Sequence, residues 1–246
     1  MGCAAEGDGV MPHVPIDHDP RAGRPSAPAA YPGITAFVCQ AASWPADHPT
    51  AVAARDAGVR TVVLQVADPA TDEANLDEVR NAGWAKRWLD AGCRVEKWWR
   101  VEQHDGDVDP HSWLIWNPIP NVESPAEIAR IPALLDASLP RAIITLGKVP
   151  GVPVGLLNER GVVLFAECFR EGPTSDHTIA ESHVFWEAEG LNMRLWRPCL
   201  QAYGQPFAPL GEQAEDARWY DPDGVGVYPA ETVSAADWQA VGEGRT

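Results

Sequence analysis

Apolar, β-branched and aromatic segments recur from Gly33 to the C-terminus with helical stretches between them, and nearly every one ends in a polar residue. They occupy 33–40, 60–68, 93–102, 112–120, 141–147, 161–169, 195–204 and 224–231. Their content suits strands covered on both faces, as in a parallel sheet under helices. Eight such segments are what a closed (β/α)8 barrel needs, and such a barrel builds its reactive face from the C-terminal ends of its strands.

Amphipathic stretches at His48–Ala57, Asp72–Asp90, Ala126–Ser138, Thr178–Glu189 and Ser234–Val241 predict the intervening helices. Gly58, Gly92 and Gly190 stand where three of these should stop, since glycine takes the left-handed terminal conformation without steric cost. Helices after the third, fifth and seventh strands are expected to be short or missing. Residues 148–160 are interrupted by two prolines and two glycines, and 205–223 read as a long polar loop. The expected organisation is therefore a TIM-like barrel with some shortened helices over residues 33–246. Residues 1–32 precede it, rich in Pro, Gly, Ala and Asp without hydrophobic periodicity, and read as an extended arm that gains order only on another surface.

Several function classes are excluded. A formal net charge of −16 is the wrong sign for a nucleic-acid partner, which needs clustered Lys and Arg. No apolar run is long enough to insert in a membrane, and the N-terminus has neither the basic start nor the apolar run of a signal peptide. Five cysteines, at 3, 39, 93, 168 and 199, lack CxxC spacing; four fall on the expected strands, where they read as thiols of a chain made in the cytoplasm. His13, Asp17 and His18 lack metal-ligand spacing, and no strand–helix turn has a phosphate-cradling glycine pattern, so neither metal nor cofactor is expected.

The polar strand ends carry the candidate chemistry. Alternation in 161–169 places Val163, Phe165, Glu167 and Phe169 on one face, which sets a poorly solvated carboxylate at the rim, suited to general-acid work or to a structural pair with Arg100. The fourth strand runs into Asn121 and Glu123, and Glu123 either faces the rim or charges the start of the next helix. Glu231 after the eighth strand is the third carboxylate, with a competing role beside the following helix cap. Paired carboxylates across such a mouth are the equipment of a glycosidase. Of the eleven tryptophans, Trp98 shares a face with Glu96 and Arg100 and is the expected rim aromatic, whereas Trp84, Trp88 and Trp238 are expected in the core. Gln40, Gln65, Gln201 and Tyr203 complete a ring of neutral hydrogen-bonding groups suited to hydroxyls.

The runs Asn121-Val122-Glu123-Ser124-Pro125, Ala166-Glu167-Cys168-Phe169, Leu200-Gln201-Ala202-Tyr203-Gly204 and Val227-Tyr228-Pro229-Ala230-Glu231, followed by Asp237-Trp238, carry a resemblance. Together they resemble the TIM-barrel, glycosidase-like domain of minor tail proteins from bacteriophages of actinobacteria, over most of residues 33–241. The resemblance implies a virion structural component, located in the tail and made in the host cytoplasm. It further implies that the barrel binds host cell-wall or surface glycan and that the arm contacts other tail proteins. Glycosidases related to it carry an Asp-x-Glu pair where this chain has Asn121-Val122-Glu123, and a tyrosine where it has Phe169. Those departures favour a binder over an active glycoside hydrolase using Glu123 with Glu167 or Glu231. A purely architectural barrel without ligand is the third reading.

Overall fold

The structure, a computed structural model, describes residues 31–65, 83–100, 118–138, 141–169, 178–203, 208–220 and 224–244. Its strands are β1 (Gly33–Val38), β2 (Val59–Gln65), β3 (Arg94–Arg100), β4 (Pro118–Val122), β5 (Ala142–Leu146), β6 (Val163–Glu167), β7 (Trp196–Gln201) and β8 (Gly224–Tyr228). Each pairs in parallel with the next, and β8 pairs with β1, so the sheet closes into a barrel in chain order. The helices outside it are α1 (Pro49–Asp56), α2 (Gly83–Asp90), α3 (Pro125–Ile128), α4 (Ile131–Ser138), α5 (Val154–Arg160), α6 (Ile179–Ala188), α7 (Leu210–Arg218) and α8 (Ala235–Gly244). The expected (β/α)8 architecture is the observed one.

Four local expectations are corrected. The fourth strand, expected to end at Pro120, runs on to Val122, and its described residues Pro118–Val122 pair with β3 and β5. The stretch 148–160 contains a helix after all. Its prolines both precede Val154, and Gly161 ends α5 in the left-handed conformation at φ 65°. The supposed loop at 205–223 contains α7, which buries small and polar residues, Gln213, Ala214 and Ala217, in place of an apolar stripe. The expected helix at 126–138 is divided into α3 and α4, with Pro132 in the first turn of α4, where its missing N–H costs nothing. Residues 66–82 and 101–117, with Trp113 and Trp116, lie outside the described residues, as does the arm up to residue 30.

Strand alternation sorts the core into two layers. Outward residues pack under the helices, where Trp44, Trp84, Trp88 and Trp238 are fully buried together; Trp44 stacks on Trp238 at 6.1 Å and its carbonyl accepts from Trp84 Nε1 at 3.1 Å. The three helical tryptophans are thus core, as their positions suggested.

Inward residues fill the lumen with an aromatic column. Phe165 stands at its centre, edge-on to Tyr31 at 5.4 Å on one side and to Phe37 at 5.1 Å on the other. β8 makes room for this column by omission. A Cβ on Gly224 would lie 2.4 Å from the Tyr31 carbonyl, and one on Gly226 would lie 2.8 Å from Phe37 and 2.9 Å from Cys199 Sγ.

The end of the barrel where strands begin, here the base, is closed by Tyr31. Its hydroxyl donates to Glu96 Oε2 at 2.6 Å, Glu96 also binds Arg94, and the Arg94 guanidinium lies 5.0 Å above the Tyr31 ring. Tyr31 adopts φ 58°, a left-handed conformation unusual for a residue with a side chain, which these ring and hydroxyl contacts hold in place. The residue at the end of the expected arm is therefore inside the barrel.

Candidate functional site

The opposite end, here the mouth, collects the strand C-termini. Gln65, Arg100, Glu167 and Gln201 are the last residues of β2, β3, β6 and β7. Asn121 lies within β4 next to its end, Glu123 follows that strand directly, and Gln40 and Glu231 follow β1 and β8 at short distance. Parallel pairing around a closed barrel brings all of them to one end, as the sequence predicted.

Glu123 is positioned by a local motif. Ser124 caps α3, and Glu127 reaches back to accept from the main-chain nitrogens of Ser124 at 2.7 Å and Glu123 at 2.8 Å. Glu127, only 5% exposed, therefore supplies the helix-capping charge, and this leaves Glu123 facing the mouth. There Glu123 Oε1 accepts from Asn121 Nδ2 at 2.8 Å. The same amide leaves Oδ1 buried with no hydrogen-bond partner among the described residues, although Asn121 is only 3% exposed. The capping box is visible in the sequence as Ser-x-x-Glu, and it gives to Glu127 the helix-charging role that was the alternative reading of Glu123.

Glu231 does a different job. Its Oε1 accepts from Cys39 N and Gln40 N, both at 3.0 Å, so the carboxylate clamps the segment after β8 to the end of β1. Its Oε2 is buried and without a partner among the described residues. Burial raises the Glu231 carboxyl above the ordinary range, against the opposing pull of its backbone amide donors. Gln201 is likewise tied into the scaffold: its main chain is bridged by the Gln213 side chain, which accepts from Gln201 N and donates to Gln201 O, both at 3.1 Å. This bridge from α7 to β7 was missed because α7 itself was not expected.

Glu167 sits below an aromatic cap. Phe169 stacks on Tyr228 at 5.7 Å, and Tyr203 meets both edge-on at the same distance. Burial, together with the neighbouring Cys39 and Glu167 and a hydrogen bond with the Cys39 side chain, drives the Tyr228 hydroxyl far above its ordinary range, so it stays protonated. Alternation in β8 puts Gly224, Gly226 and Tyr228 on one face, a signal that could have singled out Tyr228. Trp98 lies deeper than the rim position expected of it, 2% exposed and edge-on to Tyr228 at 6.1 Å, with its Nε1–H unpartnered among the described residues.

The space between Phe37, Trp98, Ile144, Glu167, Cys199 and Tyr228 amounts to about 180 Å³, yet none of it admits a water-sized sphere. Among the described residues this inner space is therefore closed to a ligand. A wider groove of about 640 Å³ lies on the outer wall, lined by Ala53, Ala57, Ala235 and Ala236 from the region of α1 and α8, away from the strand ends. Among the described residues no cluster of His, Cys, Asp or Glu could hold a metal ion. Cys93, Cys168 and Cys199 are buried free thiols, and burial pushes the Cys168 thiol up to about 12, which makes it an inert packing group rather than a nucleophile.

No protein-family model matches this chain, and no curated protein matches it. Solved structures do. One is the GH18 chitinase ChiB from the chitin utilization locus of Flavobacterium johnsoniae, at 8% identity and a TM-score of 0.45, covering 88% of this chain and 94% of that one. Another is the α-fucosidase of Thermotoga maritima, at 11% identity and a TM-score of 0.34, covering 83% of this chain and 56% of that one. At such identities and TM-scores neither likeness carries an argument about function, which rests on the mouth itself.

Proposed function

We propose that the protein is a glycan-binding barrel without hydrolytic activity, carried as a structural component of a phage tail. The observation that supports binding over catalysis is how the carboxylates are held. A glycosidase needs one carboxyl group free to deliver a proton and a second free to attack or to activate water. Here Glu231 spends one oxygen on two backbone amides and buries the other, while Glu123 is tied to an amide donor at the position where an acid would be needed to share its proton. The polar groups around the mouth and the aromatic faces of Tyr203 and Tyr228, both half-buried, suit the hydroxyls and C–H faces of a sugar.

The virion reading has its own support in the geometry of the termini. Tyr31, the first described residue, lies at the base, the end opposite the mouth. Motif resemblance to phage tail proteins supplies the assembly context. The test is binding and turnover on actinobacterial cell-wall polysaccharide. Saturable binding with no release of reducing ends is expected, and turnover that Glu123→Gln abolishes would overturn the reading in favour of an active hydrolase.

A further inference from the structure

We infer that the corner of the mouth formed by Asn121 and Glu123 is a subsite for a protonated amino group of a sugar, so that the barrel prefers glycans bearing free amines over the same glycans N-acetylated. This inference rests on the glycan-binding reading and narrows it to a ligand chemistry.

Asn121 is 97% buried by the complement of its 3% exposure, and its amide is oriented by donation to Glu123 Oε1, which leaves Oδ1 as the acceptor without a partner among the described residues. The opposite amide orientation would set two oxygens against each other, so the assignment follows from chemistry. A buried amide oxygen left unmet forfeits a hydrogen bond of ordinary strength, which a donor entering this corner would restore. Beside it stands a carboxylate that is half-exposed, with its backbone fixed by Glu127 and only one of its oxygens engaged by Asn121.

The pair therefore offers acceptors and negative charge, and what it lacks is a cationic donor. A sugar hydroxyl would satisfy one acceptor; an ammonium group carries three donors and the compensating charge. An N-acetyl group presents a single N–H and an acceptor oxygen, which would face the carboxylate unfavourably. The chain's net charge of −16 adds a field of the same sign, attracting amines and repelling phosphorylated or carboxylated glycans.

The experiment uses the whole protein and calorimetric titration with a short β-linked glucosamine oligomer, its fully N-acetylated counterpart and lysine amide. The amine oligomer is expected to bind about tenfold tighter than the acetylated one, the scale of one charge-assisted hydrogen bond. In Glu123→Gln that preference should vanish while affinity for the acetylated oligomer persists. In Glu159→Gln, which removes the same charge from an exposed position of α5, the preference should remain, which separates the subsite from the general field. Equal affinity for the two oligomers, or a preference that survives in Glu123→Gln, would overturn the subsite and leave the glycan reading intact. Binding of neither oligomer would overturn both. Glu123-dependent binding of lysine amide without either oligomer would assign the corner to a peptide amine and overturn the sugar as its source.

Discussion

The two ends of the barrel place carboxylates in similar surroundings and treat them in opposite ways. At the base, buried Glu96 receives the Tyr31 hydroxyl and the Arg94 guanidinium, and the guanidinium in turn covers the Tyr31 ring. At the mouth, Asn121 Oδ1 and Glu231 Oε2 are buried acceptor oxygens without partners among the described residues. A satisfied network contributes to stability, whereas unmet buried groups cost it. The comparison therefore separates a stabilising end from a recognising end, and substitutions at the two should read out differently.

Removing the plug is expected to have the largest effect. Tyr31→Ala empties the bottom of the aromatic column and leaves Glu96 short of a donor, at a cost of about 3–5 kcal/mol in urea denaturation, the range of deleting a buried ring. Tyr31→Phe keeps the ring and removes only the hydroxyl, so about 1–3 kcal/mol should be lost, the scale of one hydrogen bond to a charged group. If both variants were as stable as the parent, the base would not be the stabilising end.

At the mouth the sign should differ. Asn121→Leu replaces an amide with an unmet oxygen by an apolar group of similar size, so stability should change by less than about 1 kcal/mol, in either direction, while glycan binding falls. A loss on the scale of Tyr31→Ala would show that Asn121 is scaffold.

Glu231 sharpens the contrast through pH. Its folded carboxyl is raised above the ordinary value of 4.5, so the folded state holds a proton that the unfolded state has released. Stability from this group is fully present below that value and declines as pH rises through the raised one. Melting temperatures measured across that window should show the decline in the parent and a flatter profile in Glu231→Gln. The smallest effect is expected from deleting residues 1–30, which should leave the melting temperature nearly unchanged because Tyr31 and its contacts remain. A large loss would mean that the arm contributes to the barrel.

What the sequence made legible follows from what is local. Strand alternation and polar strand ends are nearest-neighbour patterns, so the barrel and its mouth could be read from them, and the Ser124–Glu127 capping box could be read from spacing. The end of β4 was placed at Pro120 rather than Val122 because a strand with two prolines, which give up ladder donors, carries a weak local signal. α7 was missed because alanine and glutamine do not register as an apolar stripe, though Gln213 is fully buried. The division of labour among Glu123, Glu127 and Glu231 depends on which donors lie across the barrel. Glu231 meets Cys39 and Gln40 some 190 positions earlier in the chain, and no local pattern encodes that meeting.

The same seam sets an order in time. Tyr31 and Phe37, from the start of the barrel, fit against Gly224 and Gly226 near its end, and Glu231 fastens the end of β1. The lumen is complete only when the last strand reaches the first, a closure over nearly the whole chain that must meet its loop entropy before any of these contacts repay it. During synthesis, seven strands can emerge and pair while the barrel stays open along one side, with the edges of β1 and β7 unpaired and the aromatic column uncovered. The nascent chain is thus most vulnerable to misassociation just before its final strand leaves the ribosome.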